Sequence, residues 1–316
     1  MRRPLIRGCL GLVLALLALA AAALAYLAFQ GRKTPEGRPE IVALGSSFAA
    51  GAGLGPLQKD SPLLCARSVN GYPQQLARML GLSIVDMSCG GATTRNLLDG
   101  GQFFQGPQIR TITNETRLVT ITVGGNDVGY IGDLSLLAAR NSDTVFGWLV
   151  KQFWSGPKQP GGRNLAGLRQ ELTATLRAIR ARAPGARIIV ATYPTILPPA
   201  GTCLNIGLSE AEAEVMRGVG DQFAAVTKSA ARQGGALIAD MHQLGADHHA
   251  CSAVPWVSGW KDGGVAPFHP TLQGAEATAA AVAATLENSP AAVAAVGQHD
   301  ATGHQAGGVG RQEQDN

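Results

Sequence analysis

Four short segments hold the residue types that acyl transfer needs. Gly45-Ser46-Ser47-Phe48-Ala49 follows the apolar run Glu40 to Gly45, which reads as a strand. A serine at a strand-to-helix turn presents its hydroxyl above the sheet, beside backbone N–H groups. That setting suits a nucleophile whose oxyanion must be held. Cys89-Gly90-Gly91-Ala92-Thr93-Thr94 is a second glycine-rich turn, where Gly91 can bring its N–H close to a substrate oxygen. Gly124-Gly125-Asn126-Asp127 is a third, with a side-chain amide able to donate to the same oxygen. Phe268-His269-Pro270-Thr271 comes just before the last helical pattern and offers an imidazole as general base. Taken singly, each reads equally well as an ordinary turn, because Gly, Ser and Asn are common turn residues. Their weight comes from their order along the chain.

The elements that must position them are legible as apolar periodicity. Strand patterns fall at Glu40 to Gly45, Leu82 to Met87, Arg117 to Val123, Ala186 to Tyr193 and Ala236 to Asp240. Helical spacing falls at Tyr72 to Leu80, at Asn164 to Ala183 and at Thr271 to Leu286. Ser209 with Glu212 reads as a capping box opening a helix that runs to about Gln233. Strands alternating with helices predict an α/β domain with a mostly parallel sheet covered on both faces. Ligands bind such sheets at the carboxyl ends of the strands, where the three turns fall.

Leu10 to Phe29 is an apolar stretch long enough to span a bilayer as a helix, with Arg2, Arg3 and Arg7 before it. The positive-inside rule keeps that end in the cytoplasm and carries the bulk across. The expected organisation is a cytoplasmic n-region (1–9), a transmembrane signal-anchor (10–29), a linker (30–38), a catalytic domain (39–288) and a disordered tail (289–316). The expected location is the cell membrane, single-pass, with the domain outside. Cleavage after Ala23-Leu24-Ala25 would instead release a secreted protein. The basic residues Arg2, Arg3, Arg7, Arg32 and Lys33 outweigh the whole net charge of +4, so the rest is slightly acidic. No basic, aromatic-interleaved patch remains, which argues against nucleic-acid binding. Export fits the even number of cysteines beyond Cys9. Four cysteines allow three pairings. The expected one is Cys65–Cys89 with Cys203–Cys251, each pair bracketing a stretch that leads toward the site.

Together the blocks resemble those of the SGNH hydrolases, also called GDSL esterases and lipases. The likeness rests on GGND at Gly124 to Asp127, GGATT at Gly90 to Thr94 and HP at His269-Pro270, and runs from about Ile41 to Leu286. It is closest to the secreted, disulfide-containing actinobacterial lipase-like branch, whose first block is followed by a stretch like Cys65-Ala66-Arg67-Ser68. The resemblance implies a flavodoxin-like three-layer α/β/α fold with a five-stranded parallel sheet in the order 2-1-3-4-5. It also implies Ser47 as nucleophile and His269 as base. The oxyanion hole would be the Ser47 N–H, the Gly91 N–H and the Asn126 amide. The implied activity is hydrolysis of a carboxylic ester, whether lipid, glycan ester or small ester. A phospholipase, a carbohydrate O-acetyl esterase or a non-catalytic binding module on the same scaffold are the alternatives.

Two positions depart from the family pattern. Ser46 stands where an Asp usually precedes the serine, so a local rewiring of hydrogen bonds is expected. Ala266 stands three residues before His269, where an Asp often orients the imidazole. The expected substitute is a backbone carbonyl, that of Ala266 or Pro267, with Asp262 as the alternative. No metal or organic cofactor is called for. His242, His248 and His249 have irregular spacing and read as loop surface, and no G-x-S-x-G, P-loop or H-E-x-x-H occurs. Gly51-Ala52-Gly53-Leu54-Gly55 is one position short of a dinucleotide fingerprint. Nothing in the sequence sets an oligomeric state.

Overall fold

Five runs of β-branched and aliphatic residues pair edge to edge, and the helices between them cover both faces of the resulting sheet. The computed structural model describes residues 3–289 apart from Thr34 and Glu36. Most of the expected tail lies outside the described residues. The chain runs α1 (Arg3–Arg32), β1 (Ile41–Gly45), α2 (Ser47–Ala50), α3 (Tyr72–Leu80), β2 (Ile84–Asp86), α4 (Thr94–Asp99), β3 (Leu118–Thr122), α5 (Tyr130–Arg140), α6 (Val145–Phe153), α7 (Leu165–Arg182), β4 (Arg187–Ala191), α8 (Glu210–Gln233), β5 (Leu237–Ala239), α9 (Met241–Leu244) and α10 (Leu272–Glu287). The expected strands are present with their ends trimmed. The short helices α2, α4, α5, α6 and α9 were not evident from periodicity, because none repeats an apolar step often enough to stand out.

The strands are all parallel, in the order β2-β1-β3-β4-β5, with Gly45 opposite Thr122 at the carboxyl end of β1. Alternation within each strand divides the core into two layers. Val42, Leu44, Val119, Ile121, Ile188 and Val190 face Leu97 of α4, Leu172, Leu176 and Ile179 of α7, and Ala230 of α8. Ile41, Leu118, Ile189 and Ala239 face Leu76 of α3 and Ala275, Ala279 and Val282 of α10. A third apolar cluster fills the carboxyl end of the sheet, gathering Phe48, Leu134, Tyr193, Ile196, Phe223 and Phe268.

Several helix starts are capped by side chains, which places them firmly. Ser209 and Glu212 form the expected capping box, and Thr271 accepts from Gly274 N–H at 3.1 Å. Helix α1 is long and apolar enough to cross a membrane over Gly11–Arg32. It stays helical through Gln30 to Arg32, beyond the apolar run, because its end packs on the domain. The Gly31 carbonyl accepts from Gln105 Nε2 at 3.1 Å, and the Lys33 carbonyl from Arg110 Nη2 at 3.0 Å.

Candidate active site

Strand β1 ends in Gly45, whose φ of 142° lies outside the range other residues favour. A Cβ there would sit 2.2 Å from the Thr122 carbonyl oxygen. Gln108, fully enclosed, holds both polar groups of this glycine: its amide oxygen accepts from Gly45 N–H at 2.8 Å and its Nε2 donates to the Gly45 carbonyl at 3.0 Å. The Cys89 N–H adds a bond to the same carbonyl at 3.0 Å. A sharply fixed strand end therefore launches Ser46 and Ser47 into α2. Ser47 is nearly covered, with 8% of its surface exposed.

His269 meets it from the loop before α10. Its Nε2 lies 2.8 Å from Ser47 Oγ, and its Nδ1 lies 2.9 Å from the Pro267 carbonyl oxygen. A carbonyl can only accept, so Nδ1 carries the proton and Nε2 is left with the lone pair that faces the hydroxyl. Phe268, between the two, is fully buried at φ 60°, a left-handed conformation uncommon for a bulky residue. Strain of this kind, held in place by core packing, bends the chain so that the ring reaches back to Pro267. The His269 carbonyl accepts from Ser258 N–H at 2.9 Å, and Val257 bridges Pro270, which pins the loop. Burial pushes the imidazole below its usual range, and the hydrogen bond to the Pro267 carbonyl, with the Ala266 carbonyl close by, opposes that only in part.

Of the three groups expected as candidates to orient the imidazole, the Pro267 carbonyl is the one that Nδ1 meets. The Ala266 carbonyl takes a long bond from Ser258 Oγ at 3.4 Å and adds only a secondary pull on His269. Asp262 accepts from Gly259 N–H at 2.6 Å and so closes its own turn. The Pro267 carbonyl takes the bond because the left-handed Phe268 folds the chain back on itself.

The second and third blocks are joined to each other, and the second to the end of β1. Asn126 donates from Nδ2 to the Ala92 carbonyl at 2.9 Å, which fixes its rotamer and leaves a second N–H. Among the described residues, no acceptor takes the Gly91 or Ser47 N–H. Asp127 accepts from Thr94 N–H at 3.0 Å and from the Thr94 hydroxyl, joining the third block to the second. Burial pushes the Asp127 carboxyl up, and nearby Glu171, 2.7 Å from the Thr94 hydroxyl, adds to this. Gln102 Nε2 donates to the Gly90 carbonyl at 2.7 Å. The disulfide Cys65–Cys89 lies directly beneath, where Gly90 N–H bonds the Cys65 carbonyl at 3.0 Å. Cys203–Cys251 ties the loop after β4 to the loop after α9. Both are the expected pairs.

Several positioning residues were invisible in the sequence. Tyr193, just past β4, places its hydroxyl 2.5 Å from Ser46 Oγ and stacks on Phe48 with ring centroids 3.8 Å apart. This is the rewiring at Ser46. Gly125 leaves room for it, since a Cβ there would come within 2.6 Å of the phenol ring. Phe48 in turn lies 5.2 Å from the His269 ring. Arg67, also buried, braces the second block by donating from Nε to the Ser88 carbonyl at 2.6 Å and from Nη2 to Gln105 at 2.9 Å. The position of Tyr193 at a strand end was the one available signal for it. Nothing local marked Gln108 or Arg67. The histidines set aside do not join the site: His248 stacks on Trp256, and His242 lies 3.1 Å from Asp221. Trp260 packs against the core at the carboxyl end of the sheet.

A five-stranded parallel sheet in this order is a flavodoxin-like arrangement, and with the structural likeness below it is the SGNH hydrolase fold. The family model of the GDSL-like Lipase/Acylhydrolase family matches residues 43–277, and the chain belongs to that family. It is a carboxylic ester hydrolase by that membership. It is 30% identical to Lipase 2 of Streptomyces coelicolor over 246 residues, 74% of this chain and 81% of that protein. It is 29% identical to a lipase of Streptomyces rimosus over 240 residues, 74% of this chain and 82% of that one. Among solved structures it resembles phospholipase A1 from Streptomyces albidoflavus at TM-score 0.63 and 26% identity, covering 78% of this chain and 98% of that one. The extracellular lipase of Streptomyces rimosus superposes at TM-score 0.61, with 26% identity and the same coverage.

Proposed function

We propose that the chain hydrolyses carboxylic esters outside the cytoplasmic membrane, with Ser47 as nucleophile, His269 as general base and the Ser47 N–H, Gly91 N–H and Asn126 amide as oxyanion hole. The observation that carries this is the 2.8 Å approach of His269 Nε2 to Ser47 Oγ, with Nδ1 held by a carbonyl. Ser47 Oγ attacks the ester carbonyl carbon as Nε2 takes its proton. The oxyanion that forms is held by the three donors. The imidazolium then protonates the departing alcohol, leaving an acyl group on Ser47. Water, deprotonated by the same Nε2, attacks the acyl carbon and releases the acid. The imidazolium is supported by a neutral carbonyl dipole rather than by a carboxylate, so its stabilisation is modest.

Lipases and a phospholipase among the similar proteins favour a lipid ester over a glycan ester or small ester. Helix α1 acts in this reading as a membrane anchor, with the disulfide-bonded domain on the outer side.

The test is intact-mass analysis after exposure to a fluorophosphonate. A single adduct on the native protein, absent in Ser47→Ala, supports the reading, and an ester panel of varied acyl length then identifies the substrate. Folded protein that stays unlabelled overturns it in favour of a binding module.

A further inference from the structure

Helix α6 is built the wrong way round for a helix facing water. Its Thr144 cap accepts from Gly147 N–H at 2.9 Å, and only Gly147 and Val150 are buried. Gly147 packs so tightly on the end of α5 that a Cβ would meet the Ala139 carbonyl at 2.4 Å. The side turned outward carries Val145, Phe146, Trp148, Leu149 and Phe153, with 79% of Val145, 56% of Trp148 and 82% of Phe153 exposed. A surface helix ordinarily turns polar residues outward. A contiguous apolar face of this kind marks an interaction site.

Its position says what covers it. Helix α6 hangs from the end of α5, which is tied to the start of α8 by Arg140 to Glu212 at 2.6 Å and Asn141 to Glu212 at 2.7 Å. Because α8 leads into a parallel strand, its start lies at the carboxyl end of the sheet, the end that holds Ser47. Helix α1 reaches the domain at the same end. Its Gly31 carbonyl is bonded by Gln105, and the neighbouring Gln102 is bonded to Gly90 in the second block. The apolar run of α1 ends at Phe29, so no spacer separates a span from the domain. At about 1.5 Å per residue, Phe29 and Gly31 differ by less than one helical turn.

We infer that α6 is a second membrane element, lying in the outer face of the bilayer that α1 spans and turning the mouth of the Ser47 site toward lipid. This rests on the reading of α1 as an anchor. Trp148 with two phenylalanines and Lys151 on one short helix is the composition that sits at headgroup depth. Leu63, Phe104, Leu204 and Val265 are further exposed apolar side chains on loops of this end, with Val265 96% exposed. They extend the same contact around the site.

The experiment uses the full chain reconstituted in vesicles of phosphatidylcholine and phosphatidylglycerol, some carrying brominated acyl chains. Tryptophan emission is followed for the wild type and Trp148→Phe, a change that keeps an aromatic ring. Brominated lipid is expected to quench the share of emission contributed by Trp148, one of four tryptophans, and that share disappears in the variant. Equal quenching in both forms overturns the inference. So does a chain that floats with the vesicles yet shows no quenching, with cross-linking through α6 then identifying a second copy as the cover. A chain that fails to float removes the anchor reading as well. A Phe146→Ser, Phe153→Ser double variant is expected to lose about tenfold in hydrolysis of a vesicle-borne ester while keeping its rate on a water-soluble acetate. Parallel losses on both overturn the docking role.

Discussion

Tyr193 Oη lies 2.5 Å from Ser46 Oγ, and both residues are buried beside Ser47. The phenol comes from the end of β4 and the serine from the end of β1, so one hydrogen bond links the two sides of β3. Loss of either partner strands a polar atom in the core. We expect Tyr193→Phe and Ser46→Ala each to destabilise the domain by about 1–3 kcal/mol in urea unfolding, because an unpaired buried hydroxyl costs its full desolvation. The double variant is expected to cost less than the sum of the two, as contacting residues couple. Strict additivity would show that the bond contributes nothing.

Asn126 is held by the Ala92 carbonyl at 2.9 Å and keeps one amide N–H to spare. We expect Asn126→Ala to lower kcat by about a hundred-fold or more, roughly 3 kcal/mol, since in the proposed site it removes one oxyanion donor. KM should change little, because the donor acts on charge that develops in the transition state. A variant with unchanged kcat and unchanged thermal stability would remove Asn126 from the oxyanion hole.

Burial lowers the pKa of His269, and no carboxylate sits behind it to restore the usual value. The imidazole proposed as base is therefore neutral at pH values where an ordinary imidazole is protonated. The acid limb of kcat/KM on a soluble ester should therefore fall below about pH 6.5, the reference value for histidine. The same shift has a sign for stability. Between the lowered native pKa and the unfolded value the unfolded chain binds more protons, so the contribution of His269 is full above about pH 6.5 and is lost as pH falls. His269→Gln should flatten that part of the stability profile. An acid limb at or above the ordinary histidine value would contradict the shift.

What the sequence alone determined is whatever depends on local pattern. Strand runs, the capping box at Ser209 and Glu212, and the long apolar helix follow from apolar spacing and local hydrogen-bonding chemistry. Turns adjoining regular elements offered Ser47, Gly91, Asn126 and His269 as candidates, and the resemblance of the four blocks to a known family implied their roles. Local pattern has no reach across the fold, and the rest depended on that reach. Gln108 bonds Gly45 from 63 residues away, and Tyr193 reaches Ser46 across 147. No spacing rule joins such pairs. Which backbone carbonyl holds His269, that of Ala266 or of Pro267, was open until Phe268 took a left-handed conformation, which its burial in the core enforces. The outward apolar face of α6 was equally hidden, since its composition reads as core and only the position of α5 shows which side is left uncovered. Periodicity records which residues avoid water, and only the packed chain records what they meet instead.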